Sequence, residues 1–133
     1  MASHSSSPSA PGQAPSAGGR QAAGALAEDA AARYLEGRGL RVAARNFRVR
    51  GGEIDLICRD GDAIVFVEVR SRSQAGYGGA AASITARKQA RVVLAARHWL
   101  AAHPAEARRP CRFDCVCLDG GRLEWLRDAF AAD

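Results

Sequence analysis

Apolar and polar residues change their period several times along this chain, and each change marks an element. From Gln21 to Gly37 the apolar positions Leu26, Ala27, Ala30, Ala31, Tyr34 and Leu35 recur at three- and four-residue intervals. That spacing lines one face of a helix, with Asp29, Arg33 and Glu36 opposite and Gly37 and Gly39 as the stop. Glu28 lies at the border of the stripe, where it either faces solvent or turns inward to a site. From Leu40 to Arg50 the period shortens to that of a strand, with Val42, Ala44 and Phe47 inward and four arginines along it. Two β-branched runs, Gly51 to Ile57 and Val65 to Arg70, flank Asp60-Gly61 and predict a hairpin. Ser83 to His103 returns to helical spacing, with Ser83 as N-cap, Pro104 beyond the end, and Val92, Val93, Ala96, Trp99 and Leu100 as the core face. Arg112 to Leu118 alternates again. Asp119-Gly120-Gly121 then turns into a last strand, Arg122 to Leu126, and Phe130 packs back on the core.

The hairpin carries residues that a strand pattern does not explain. Glu53, Asp55 and Glu68 sit among side chains otherwise suited to burial. A two-residue turn at Asp60-Gly61 pairs Ile57 with Ile64, Asp55 with Phe66 and Glu53 with Glu68. Residues opposite each other share a face, so Glu53, Asp55, Glu68 and Arg70 all project from one side. Carboxylates gathered on one face repel, and burial raises the cost. A hard divalent cation relieves it by taking oxygen ligands. Pairing with arginines in solvent is the alternative, and a cluster on adjoining strands favours the cation.

Charge extends this picture. The chain has 133 residues, 47% apolar and 25% charged, with a net charge of +5 and a pI of about 9.6. This length and composition suit a single domain over residues 21–133, preceded by a Ser-, Pro-, Ala- and Gly-rich tail, 1–20, expected to be disordered. The positive balance favours a polyanionic partner, nucleic acid before membrane. No apolar run reaches transmembrane length, and the first residues lack the apolar centre of a signal peptide. Cys58, Cys111, Cys115 and Cys117 have no zinc-site spacing, and His4, His98 and His103 complete none. Reduced thiols in a cytoplasmic protein are the simpler reading. Arg45 and Arg48 on the first strand, Arg72 after the hairpin, and Arg87, Lys88 and Arg91 at the start of the second helix could track phosphates. Tyr77, in the Gly/Ala/Ser loop from Ser71 to Ala82, could stack on a base. Dinucleotide and P-loop fingerprints are absent. A crossover helix between hairpin and fourth strand makes those strands parallel, giving an α/β layer sandwich with a mixed sheet.

The order of motifs now suggests a family. Glu28 on the first helix precedes Gly-Gly-Glu-Ile-Asp-Leu-Ile at 51–57 and Phe-Val-Glu-Val-Arg-Ser-Arg at 66–72. Tyr77-Gly78-Gly79, Ile84-Thr85, Arg87-Lys88-Gln89 and Arg112-Phe113-Asp114 follow. From Gln21 to Phe130 this closely resembles the YraN family of bacterial proteins. It also resembles the restriction-endonuclease-like superfamily, which has an α-β-β-β-α-β order, and within it the archaeal Holliday-junction resolvases.

That resemblance implies a nuclease acting on DNA, branched or structured DNA included, with Mg²⁺ or Mn²⁺ as cofactor and a homodimer as its assembly. It carries the metal-holding roles to Glu28, Asp55 and Glu68, and the catalytic roles to Asp55, Glu68 and Arg70. Glu53 and Lys88 become supporting residues. The superfamily's lysine falls on Arg70, which keeps its proton at neutral pH and so cannot be a general base. Lys88 is a candidate replacement. The alternative is a binding module that keeps the fold and the basic surface without the chemistry.

Overall fold

The computed structural model describes residues 15–72 and 84–132, with side chains from 24 to 71 and from 84 onward. Helix α1 (Pro15–Gly37) leads into strands β1 (Arg41–Val49), β2 (Gly52–Asp60) and β3 (Ala63–Arg72). Helix α2 (Ala86–Ala102) and strands β4 (Cys111–Asp119) and β5 (Arg122–Phe130) follow. The five strands form one mixed sheet in the order β1-β2-β3-β4-β5. All neighbours are antiparallel except β3 and β4. The parallel pair is the consequence of the α2 crossover expected from sequence.

Each face of the sheet has its own core. Ala31, Ala32 and Leu35 of α1 pack with Leu40, Leu56, Cys58, Val65, Val67 and Val116. On the other side Val92, Val93, Ala95, Ala96 and Trp99 of α2 cover Ile54, Ile57, Ile64, Phe66 and Phe113. The strands between them carry apolar residues on both faces, as a strand buried from two sides must. Three details of the helices differ from expectation. Helix α1 begins at Pro15 rather than Gln21, and Leu26 of its apolar stripe is 68% exposed while Ala32 is buried. Helix α2 is capped by Thr85, whose hydroxyl accepts the Lys88 N–H at 3.1 Å. The expected N-cap, Ser83, lies outside the described residues.

The hairpin register also differs, by two residues. Asp60 pairs with Ala63 and Ile57 with Phe66, so the turn residues are Gly61 and Asp62. Gly61 has φ +60°, which a tight hairpin turn demands at its first central position. A shift of two keeps the side chains of the paired stretch, Leu56–Asp60 against Ala63–Val67, on the faces expected for them. It moves Asp55 from beside Phe66 to the step beyond the Leu56–Val67 pair, level with Glu68.

Glycine fixes the other hairpin. Gly51 turns β1 into β2 with φ +84°. At Gly52 a Cβ would lie 2.4 Å from the Arg91 carbonyl and 3.1 Å from the Ala95 nitrogen of α2. The absence of a side chain there lets the middle of α2 close on the start of β2.

Candidate acidic site at the open end of the sheet

Ile54 and Ile57 lie in the core under α2, whereas Leu56 faces α1. Strict alternation cannot put residues 54 and 57 on one face, so β2 swivels at Asp55. Its neighbour β1 swivels too. Arg45 pairs with Leu56 and Phe47 with Ile54, and between them Asn46 adopts φ +51°, a conformation asparagine tolerates better than most residues. Beyond Leu56–Val67 the β2–β3 ladder opens. The Val69 N–H that it leaves donates instead to Asp55 Oδ2 at 2.8 Å. The carboxylate of Asp55 thus stands at a split in the sheet, by the carboxyl end of β3 and the start of α2. Ends of parallel strands beside a crossover helix are where open α/β sheets place ligands.

Glu68 reaches the same point from β3. It is 2% exposed and hydrogen-bonded to Asp55. Burial first, and the Asp55 charge second, push its carboxyl up to about 8, with Lys88 opposing the rise. Burial likewise raises Asp55, against the Val69 hydrogen bond. Burial and mutual repulsion thus favour a proton held by the pair. Its Oε1 is buried with no hydrogen-bond partner, a rare condition for a native polar atom.

Cations surround the pair. Lys88 Nζ lies 3.3 Å from Glu68 Oε2 and 3.5 Å from Glu53 Oε2, with its side chain 24% exposed. Arg70 Nη1 is 3.9 Å from Glu68 Oε2, and Arg48 Nε is 3.9 Å from Glu53 Oε1. Glu28 approaches from α1, where burial and the Asp55 charge raise its pKa and a hydrogen bond from Asn46 lowers it. The sheet and both helices thus bring Glu28, Glu53, Asp55, Glu68, Arg70 and Lys88 into one neighbourhood. Among the described residues, however, no three His, Cys, Asp or Glu side chains converge as a group able to hold a metal ion.

The remaining basic positions divide. Arg45 is ion-paired with Asp29 on α1, Arg87 is exposed on α2, and Arg91 is half-buried there. The side chain of Arg72, and Tyr77, lie outside what is described. Two thiols border the acids, Cys115 opposite Glu68 and Cys117 opposite Arg70. Burial pushes Cys115 up to about 12, which leaves no thiolate for nucleophilic attack.

Two further residues matter to this region. Asn46 lies between Arg45 and Phe47, where an asparagine inside a strand pattern signals a backbone irregularity. Asp114, in the Arg112-Phe113-Asp114 motif, has no local pattern that marks its role. It is fully buried and accepts from Trp125 Nε1, the Asp128 N–H and Arg112 Nε, each within 3.2 Å. Arg112 extends the chain to Asp60 at 2.9 Å.

Residues 27–118 match the model described as Uncharacterised protein family UPF0102. The chain belongs to this family. A UPF0102 protein of Dechloromonas aromatica is 62% identical over 112 residues, 84% of this chain and 91% of that one. One from Ralstonia nicotianae is 53% identical over 128 residues, 93% of this chain and 98% of its own. Another, from Halorhodospira halophila, is 57% identical over 107 residues, 80% and 85% of the two chains. The UPF0102 match opens just before Glu28 and closes at Leu118, so it takes in every residue of the acidic site. No helix among the described residues is long and apolar enough to cross a membrane.

Proposed function

We propose that this chain is a Mg²⁺- or Mn²⁺-dependent nuclease hydrolysing phosphodiester bonds in DNA, on a fold of the restriction-endonuclease-like kind. One observation carries the reading: Asp55 and Glu68 are held in hydrogen-bond contact in a buried place, with Glu68 Oε1 unsatisfied. Two neighbouring buried acids cost stability and add none to an isolated fold. The donors are hard oxygens, and two carboxylates suffice for Mg²⁺, which draws its remaining ligands from water and phosphate oxygens. The shortfall from a three-acid cage therefore suits this ion better than Ca²⁺.

Asp55 and Glu68 would hold the ion, with Glu28 beside Asp55 on the outer side. When bound, such an ion polarises a phosphate oxygen and lowers the pKa of coordinated water. The chain's own residues do the rest. Val69 fixes the orientation of Asp55 through its N–H. Glu53 and Glu68 hold Lys88 between them, where its ammonium faces the place of a phosphate and occupies the role that the superfamily gives to a strand lysine. Arg70 cannot accept a proton, and its fixed charge suits stabilisation of an anionic transition state. Arg48, Arg87 and Arg91 supply contacts to the backbone that do not depend on sequence.

The test is a panel of duplex, branched and single-stranded DNAs incubated with Mn²⁺, run beside Asp55→Asn and Glu68→Gln. Cleavage by the parent and none by either variant is the expected result. Undiminished cleavage by both variants rejects the mechanism. A second reading, a non-catalytic nucleic-acid-binding module, draws on Arg70 standing where the superfamily has lysine. It predicts salt-sensitive binding with no calorimetric Mn²⁺ signal.

A further inference from the structure

On the α1 side of the acid pair, Glu28, Asn46 and Arg48 line a hollow of about 270 Å³ whose remaining wall is Gly24 and Ala25. The hydrolysis described above draws on Glu28 and Arg48 at its border and leaves the space between them, with Asn46, unassigned. It adjoins the acid pair, since Asn46 stands level with Asp55, between the Arg45–Leu56 and Phe47–Ile54 pairs of β1 and β2. Its polar groups are mixed. Glu28 accepts hydrogen bonds, Asn46 both donates and accepts, and Arg48, whose side chain is 72% exposed, donates from the rim.

That mixture restricts the occupant. An anion such as a free phosphate meets the Glu28 carboxylate, and a bare cation meets the Arg48 guanidinium. A neutral group with donors and acceptors on one edge meets neither penalty and satisfies all three side chains. The volume falls just short of the ~300 Å³ at which ordinary small-molecule sites begin, so it suits a single ring system. The wall is open by composition: a Cβ added to Gly24 meets nothing within 4 Å. The shape is maintained by Asn46, whose left-handed backbone and hydrogen bond to Glu28 hold the inner side in place.

Resting on the nuclease reading, we propose that this hollow receives one unpaired nucleobase flanking the phosphodiester held at Asp55 and Glu68. The base edge is hidden in a duplex, so the nucleotide entering must be unstacked and unpaired. The substrate class is then nucleic acid carrying unpaired nucleotides beside the cut. Guanine is the best-matched probe, because its Watson–Crick edge offers two donors to a carboxylate and its O6 accepts from arginine.

The experiment measures binding of the full chain, without divalent cation, to a duplex with one unpaired guanine and to the same duplex with an abasic site there. The expected result is about tenfold tighter binding of the guanine duplex, the size of one good base contact. Asn46→Ala, and separately the double plug Gly24→Leu/Ala25→Leu, should bring the two duplexes to within about threefold and leave abasic affinity unchanged. Leucine at a helical glycine favours the helix, and a circular-dichroism melt checks that both variants fold. Equal affinity of the parent for the two duplexes overturns the proposal, and so does a plug that leaves the difference intact. Cleavage of the same DNAs with Mn²⁺ separates the two readings. Cutting without base preference removes only the base pocket, whereas base preference without cutting removes only the nuclease.

Discussion

Asp114 and Glu68 are buried acids on adjacent parallel strands, and the fold treats them in opposite ways. Asp114 receives the indole of Trp125, the backbone N–H of Asp128 and the guanidinium of Arg112. Those bonds repair the irregular stretch of β5, where the pairing with β4 shifts between Phe113 and Cys115 and Asp128 turns to φ +55°. Glu68 has a carboxylate neighbour, an ammonium at 3.3 Å and an oxygen with no partner. The two acids stand one step apart in the register, on opposite faces of the sheet. One face is finished with a charge that stabilises it, and the other keeps an acid that the isolated fold does not need. Satisfied burial marks structure, and unsatisfied burial marks a place prepared for something else.

The comparison can be broken most directly at Asp114. Asp114→Ala strands three donors that converge on a buried carboxylate and should cost about 3–5 kcal/mol in urea denaturation, as loss of one partner of a buried ionic network does. Glu68→Gln should leave the fold standing while lowering Mn²⁺-dependent cleavage by on the order of a thousandfold, the scale of several kcal/mol of transition-state stabilisation. If instead Glu68→Gln unfolds the protein and Asp114→Ala does not, the roles assigned here are reversed.

Gly52→Ala tests how the acidic end is assembled. A methyl group 2.4 Å from the Arg91 carbonyl must push α2 away from β2, which should cost about 1–3 kcal/mol, as overpacking does. Lys88 should be displaced with the helix. Thermal unfolding measures the first effect, and a changed titration of Glu68 by carbonyl NMR measures the second.

Titration sharpens the contrast further. The Glu68 carboxyl rises from an ordinary 4.5 to about 8. Above pH 4.5 the unfolded chain gives up this proton while the folded chain keeps it. Stability contributed by this group therefore falls as pH rises towards 8, and levels off beyond. Glu68→Gln removes that slope, so the melting temperature of the variant relative to the parent should climb between pH 5 and pH 8.5. A constant difference across this range would show that Glu68 is not the buried proton holder. The smallest effect is expected at Arg48→Ala. Its exposed ion pair is worth at most about 0.5 kcal/mol to folding, but the salt dependence of DNA binding should lose about one unit of slope.

Much of this was legible in the chain. The change from three-and-four spacing to alternation placed both helices and all five strands, because burial on one face imposes the period of the element. The motif order identified the family. Parity predicts Asp55 and Glu68 on one face; a register shift of two preserves that parity as far as the Leu56–Val67 pair, and the swivel of β2 at Asp55 sets the final approach. Gly61 shows why the shift arose: sequence marks a turn near Asp60-Gly61, but the backbone angle at glycine decides which two residues make it.

Other features had no local signature. Leu26 continues the apolar stripe of α1 yet faces solvent, because the helix rests on Ala27, Ala31, Ala32, Tyr34 and Leu35. The bend of β1 and β2 at Asn46 and Asp55, and with it the hollow beside Glu28, depends on where two helices press on opposite faces. The amino-acid sequence by itself determined the elements, their order and which acids share a side of the sheet, since these follow from nearest-neighbour geometry. Only the tertiary structure decided that Asp114 would be satisfied and Glu68 left wanting. Hydrogen-bond partners such as Trp125 and Lys88 come from distant parts of the chain, and no local pattern records where folding will bring them.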